Sequence, residues 1–333
     1  MPENPSIKLA KNKKFRVTTL KILPRLIGVV ILIILLTKVD TEQLIIAIRN
    51  IRTDLFIYAV ILVIPVYLFK SMRWNFLMHM QGIKYSYLQA LLAFTSSNFI
   101  GFITPGRMGE MAKAIYVRND KKLPLASVIP SVLVDRLFDV YILIFITLLG
   151  FFKLSLFGDV DKLFYFGIFL IMLLPLIAIK KSWTYPLLLM ISKSRFFKKY
   201  TNKIKDFGEA FFVEIQKMLN IRIIIPLILT IMAYFSLFFS GFMLIKAMNI
   251  DVTFSNVAII ISIGNVLSFI PISFSGVGTR DAAFVFIFGI LGLASEDAIA
   301  FSVLILITFF VFGGLYGFIC YSVKPISLSL NQR

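Results

Sequence analysis

Six stretches of roughly twenty or more mostly apolar residues run along this chain, at 19–37, 54–72, 125–152, 163–180, 222–246 and 297–322. A hydrocarbon core of ~30 Å takes ~20 such residues to cross as a helix, and in lipid a helix satisfies its own N–H and C=O groups. The chain therefore reads as a polytopic, all-α integral membrane protein. Composition agrees, with 59% hydrophobic and only 16% charged residues, where soluble chains average ~25% charged. One cysteine, Cys320, and one histidine, His79, exclude a disulfide framework and a Cys/His metal cluster. No cofactor, metal or catalytic side chain is expected.

The net charge of +18 would suggest nucleic acid in a soluble protein. In a membrane protein, basic loops instead mark the cytoplasmic side, and no nucleic-acid partner is expected. Two further apolar segments, 88–104 and 254–271, are shorter and run into Pro/Gly-containing loops. If 88–104 dips into the membrane and returns, 27 Lys and Arg collect on the side of the N-terminus and seven on the other, with Arg136 inside a helix. That tally places Lys70, in the last turn of the helix expected over 54–72, and Arg73, just beyond it, on the side of the N-terminus. If 88–104 crossed alone, the ten-charge loop from Lys180 to Arg222 would face outward. The re-entrant reading puts a multi-pass protein in the cell membrane with both termini cytoplasmic. Residues 1–18 read as a basic, disordered N-terminus without a cleavable signal, 19–323 as the membrane domain, and 324–333 as a short tail.

Asn98, Phe102 and Ile103 recur as Asn265, Phe269 and Ile270 at an offset of 167 residues, half the chain, with a Gly-containing loop after each set. The same offset carries 54–72 onto 221–239 and 125–152 onto 292–319. Two halves, 19–152 and 163–323, thus each read as three spans plus one re-entrant hairpin. An odd number of crossings inverts the second copy, and inverted repeats with broken helices are a transporter architecture. The stretch from Phe197 to Met218 has helical apolar spacing with interleaved lysines, which fits a basic amphipathic helix on anionic inner-leaflet lipid.

Ionisable groups at membrane depth need a partner or a watery cavity. Asp135 and Asp139 share a helix face, with Arg136 beside them. Two readings stand: an ion pair locking the bundle, or Arg136 as a phosphate contact with an aspartate as counter-ion or proton site. The first loop, with Pro105, Gly106, Arg107, Gly109, Glu110 and Lys113, suits an anion through close backbone approach and a planar guanidinium. It is equally a hairpin turn in which Arg107 pairs with Glu110. The second loop, with Gly276, Gly278, Arg280 and Asp281, repeats that choice.

The segment from Pro105 to Lys113, the Val-Asp135-Arg136-Leu motif and the segment from Ser275 to Asp281 resemble the transmembrane flippase-like domain of lysylphosphatidylglycerol synthases. The resemblance spans about 20–323 and is that of a stand-alone member without the soluble synthase domain. Arg107 and Glu110 match the family's PGR-x-GE loop, Asp135 and Arg136 its DR pair, and Gly276, Gly278 and Arg280 its G-x-G-x-R loop. Asp281 stands where Glu is commoner, and Ser275 where Pro or Gly is usual. The resemblance implies a translocase for a modified phospholipid or a polyprenyl-linked lipid. Its residues would be Arg107, Lys113, Arg136 and Arg280 on lipid phosphate, with Glu110, Asp135, Asp139 and Asp281 as counter-ion or proton groups. A lipid-modifying transferase, or an accessory subunit of a separate synthase or glycosyltransferase, are the other readings.

Overall fold

The computed structural model describes residues 49–102, 104–154, 201–268 and 276–326, together with residues 42, 45, 185, 186 and 190. The expected N-terminus, the segments 19–37 and 163–180, the stretch 271–275 of the second loop and most of the tail lie outside the described residues. The described residues are helical throughout their ordered elements. In chain order these are α1 (Thr53–Met80), α2 (Tyr87–Phe102), a 3-10 turn (Pro105–Met111), α3 (Ala112–Lys121), α4 (Leu125–Lys153), α5 (Thr201–Met218), α6 (Ile221–Ala247), α7 (Phe254–Ser268), α8 (Thr279–Ile290) and α9 (Ser295–Val323).

Three of these, α1, α6 and α9, are long and apolar enough to cross a membrane. Helix α4 matches them at 29 residues, but carries Asp135, Arg136 and Asp139 in its middle. Outward faces are apolar: Ile228, Ile231 and Phe235 on α6, and Leu315, Phe318 and Ile319 on α9, are all exposed. Such surface suits lipid rather than water.

Helix α1 does not end at residue 72, as its hydropathy suggests, but continues to Met80. Pro65 has no N–H to offer the carbonyl of Ile61, and the helix is interrupted beside it at Leu62. The consequence is large, because Arg73 becomes a helix residue and Lys70 lies well inside the helix instead of at its end. In α9 a π-helical turn over Ile307–Phe312 widens the helix, and Phe309 from that turn faces the interior cavities.

The ends of the elements define two ends of the bundle. At one, the Gln81 amide donates to the Ser127 carbonyl at 3.1 Å, the Tyr116 hydroxyl to the Lys324 carbonyl at 2.9 Å, and Lys324 to the Tyr85 hydroxyl at 2.9 Å while pairing with Asp120. At the other, the Arg52 amide donates to the Ala247 carbonyl at 2.9 Å, and Lys153 to Ser255 at 2.6 Å and Asn256 at 2.8 Å. Helix α2 leaves the first end, and α3 returns to it. Helix α7 leaves the second, and α8 packs back along it. Each hairpin has its own core: Trp74, Phe94 and Tyr116 around the first, Phe284, Phe288 and Phe301 around the second.

Helices α6, α7, α8 and α9 begin 168, 167, 167 and 170 residues after α1, α2, α3 and α4. The halves interlock crosswise, α4 packing on α7 and α9 on α2. Two glycines 167 apart permit these contacts. A Cβ on Gly150 would collide with Ile259 of α7, and one on Gly317 would lie 2.7 Å from the Phe99 Cβ and 3.0 Å from the Thr95 carbonyl oxygen of α2.

Helix α5 packs against α4 and α1, burying Ile215 and Met218 beside Leu77 and Val134. Its apolar stripe is thus spent on the bundle over that stretch. Phe197 and Tyr200 lie outside the described residues.

Substituting Gly317→Leu inserts a side chain where backbone and Phe99 already stand, and should cost about 1–3 kcal/mol. The thermal unfolding midpoint in detergent will fall, while Gly289→Ala, whose Cβ meets nothing within 4 Å, will leave it unchanged or higher. Equal midpoints for both variants would contradict the crosswise packing.

Candidate functional site

The 3-10 turn between α2 and α3 is set by Thr104 and Gly109. The Thr104 hydroxyl accepts from the Gly109 amide at 2.7 Å, and a Cβ on Gly109 would come within 2.5 Å of the Ile100 carbonyl. Arg107 sits in the left-handed region at φ 55°, a conformation unfavourable for a non-glycine residue. Pro105 and Gly106 open the turn. In the second hairpin Gly276 and Gly278 take φ of 85° and 86°, and a Cβ on Gly276 would collide with the Ser268 hydroxyl. The Gly278 amide donates to Asp281 at 2.8 Å, starting α8.

Around the first turn, four elements bring eight charges together. Asp135 of α4 accepts from the Arg73 Nε at 2.7 Å and pairs with Lys113 of α3. Asp139, one turn further, meets the Arg73 Nη2 at 2.9 Å and the Lys70 Nζ at 3.1 Å. Glu110 pairs with Arg136 and lies 3.4 Å from the Arg107 Nε. Helix α6 adds the Thr230 hydroxyl, which accepts from Arg73 at 3.1 Å, and the Tyr234 hydroxyl, which accepts from Lys70 at 3.3 Å. Lys113 is further enclosed over the rings of Phe94 and Trp74, at 4.7 and 5.3 Å.

Three acids therefore face five cations. Arg73 and Lys113 are 0 and 1% exposed, whereas Lys70, Arg136 and Arg107 are 16, 19 and 25% exposed. These three line one cavity together with Asn98 and Asn265. The two repeated asparagines thus meet in a single space. A second cavity shares Arg107 and Asn265 and reaches Ser268 and Arg280. Around them Phe94, Phe102, Leu237 and Phe309 form apolar walls. The contact of the Arg107 Nε with Glu110 is not an aligned hydrogen bond, and Arg107 lines both cavities. Its guanidinium also stands over the Phe102 ring at 5.3 Å.

Arg136 does not take Asp135 or Asp139 as its counter-ion, as the helix spacing suggested. It pairs across to Glu110 of the hairpin, because Arg73 and Lys70 of α1 already occupy the aspartates. Glu110 in turn serves both Arg107 and Arg136 instead of closing a private pair with Arg107. Arg280 and Asp281 form a separate pair, 3.1 Å apart, with Ser302 2.8 Å from Arg280. Position by position, the 167-residue offset carries Lys113 onto Arg280 and Asp135 onto Ser302, so a polar bridge from hairpin to long helix stands in both halves.

Arg73 and Lys70 were missed. The available signal was charge balance: α4 holds two aspartates and one arginine at membrane depth, and needs cations from a neighbour. Among the described residues no three His, Cys, Asp or Glu side chains converge as metal ligands.

Removing one partner of a buried ion pair strands the other and costs about 3–5 kcal/mol. Asp135→Asn should therefore depress the thermal midpoint strongly, since Lys113 loses its anion and Arg73 keeps only Asp139. In a Lys113→Met background the same substitution should cost less. Additive effects would show that Lys113 and Asp135 are not coupled.

Residues 21–317 match the family described as lysylphosphatidylglycerol synthase TM region. A UPF0104 membrane protein of Methanocaldococcus jannaschii is 25% identical over 323 residues, covering 92% of this chain and 95% of that protein. No solved structure matches.

Proposed function

This multi-pass membrane protein belongs to the lysylphosphatidylglycerol synthase TM-region family, and from that premise we propose that it is a lipid translocase whose two hairpins grip a headgroup phosphate between them. The observation that carries the reading is the cavity at which Lys70, Arg107 and Arg136 meet Asn98 and Asn265. It combines cations with apolar walls, which is the chemistry of an amphiphile with an anionic head.

In this reading the hairpins are re-entrant, one from each face of the cell membrane, and the halves are an inverted repeat. The termini are cytoplasmic, and the basic α5 region rests on anionic inner-leaflet lipid. Support comes from the recurrence of element positions near 167 residues and from the opposite ends at which the hairpins start. Arg107 and Arg136 hold the phosphate. Glu110 and Asp139 serve as counter-ions, exchanging a cation with the lipid as it arrives and leaves. Arg280 lines the adjoining space and offers the next station. Such sharing of cations makes binding reversible, as transport demands.

Liposomes containing the purified protein and a fluorescent lipid phosphate should exchange that lipid between leaflets faster than empty ones. The Arg136→Ala variant should lose about tenfold or more of the acceleration, as expected from losing a charge-assisted contact of about 1.4 kcal/mol or more. Undiminished exchange by a folded Arg136→Ala protein would remove Arg136 from the site.

A further inference from the structure

We propose that the lipid taken by this site carries two negative charges on its phosphate, as a phosphomonoester or a diphosphate does, and that zwitterionic and cationic headgroups are disfavoured. The inference rests on the translocase reading for its lipid, but on charge for its class. Among the described residues, Lys70, Arg73, Arg107, Lys113 and Arg136 face Glu110, Asp135 and Asp139, an excess of two positive charges.

That excess is not spread evenly. Arg73 and Lys113 are sealed against Asp135 and Asp139. With Asp135 and Asp139 counted against Arg73 and Lys113, Glu110 is the acid that remains for the three cations open to the cavity, Lys70 sharing Asp139 with Arg73, and the surplus of two falls there. Arg107 has the weakest claim on a partner, at 3.4 Å from Glu110 without hydrogen-bond alignment. Desolvated like charges repel unless an anion joins them, and an anion of charge two brings the site to neutrality. A phosphodiester leaves it at one positive, and an aminoacylated phosphodiester adds a cation to a place that already holds too many.

The second half shows that this surplus is specific to the first. At the 167-residue offset, Lys70, Glu110, Arg136 and Asp139 become Leu237, Val277, Val303 and Leu306. Only the bridge of Arg280 with Asp281 and Ser302 keeps charge there, and it is neutral as a pair. The opposing wall of the cavity therefore carries no charge: Leu237 and Phe309 offer apolar surface to a chain, with Asn265 and Tyr234 as its neutral polar groups. A free phosphate has no use for such a wall.

The test is ligand-induced stabilisation of the full chain in a zwitterionic detergent, with dodecyl phosphate, inorganic phosphate, short-chain phosphatidylglycerol and its lysylated form as probes. Dodecyl phosphate should bind about tenfold or more tighter than phosphatidylglycerol, with inorganic phosphate weaker than dodecyl phosphate and the lysylated lipid weakest. Two variants should move the preference in opposite directions: Arg107→Gln should shrink it, and Glu110→Gln, which raises the surplus to three, should enlarge it. Arg107→Lys should restore it. A role confined to folding would move the ligand-free midpoints without that opposite pattern. Equal or tighter binding of lysylated phosphatidylglycerol would overturn the proposal, as would binding of inorganic phosphate as strong as that of dodecyl phosphate, or no binding of dodecyl phosphate by folded protein. Dodecyl phosphate binding without leaflet exchange in liposomes would remove the translocase reading and leave the charge assignment standing. Leaflet exchange indifferent to headgroup charge would do the reverse.

Discussion

Asp135 holds this fold at the point where it is hardest to hold. An unpartnered ionisable group at the centre of a bilayer costs about 2.5–3.5 kcal/mol on insertion scales, so α4 is compatible with a membrane only if other elements answer its charges. Arg73 of α1 and Lys113 of α3 do so from two sides, and Thr230 of α6 fixes the far end of Arg73. The hairpin, the long helix and the two flanking helices are thereby fixed to one another at a single carboxylate. The rest of the first half is arranged around that constraint.

Once the deep charges are settled, the shallower ones are left poised. Glu110 and Asp139 have more cations than they require, and Arg107 is held in a left-handed turn beside a cavity. A rigid, buried ionic base under a partly satisfied rim would keep the proposed site formed before a ligand arrives. The halves divide this labour unequally: the first supplies charge, whereas the second supplies Asn265, Leu237 and Phe309 as the facing wall. The π-turn in α9 belongs to these walls, since Phe309 from it lines both cavities and Phe310 the second.

Much of the architecture was legible from residue patterns. Hydropathy located α4, α6 and α9 to within a few residues, and the shorter apolar segments 88–104 and 254–271 anticipated α2 and α7. What hydropathy cannot carry is the partner of a buried charge. Lys70 and Arg73 interrupt an apolar run in the same way as the basic residues of a loop do, and only packing against α4 separates the two cases. The bridge of Lys113 to Asp135 and its counterpart, Arg280 to Ser302, were hidden for a related reason. One half keeps the carboxylate on the long helix, whereas the other moves it to Asp281, beside the arginine, so identity at the offset is lost while the contact survives.

The central claim is that an anion completes the charge cluster inside the membrane domain. It is tested most directly by an experimental structure of the protein in lipid nanodiscs doped with a lipid phosphate. The account predicts phosphate density within hydrogen-bonding distance of Arg107 and Arg136, between Asn98 and Asn265, with its acyl chain along Leu237 and Phe309. A cavity filled by acyl chain alone, with Arg107 closed onto Glu110 and no phosphate near either arginine, would contradict it.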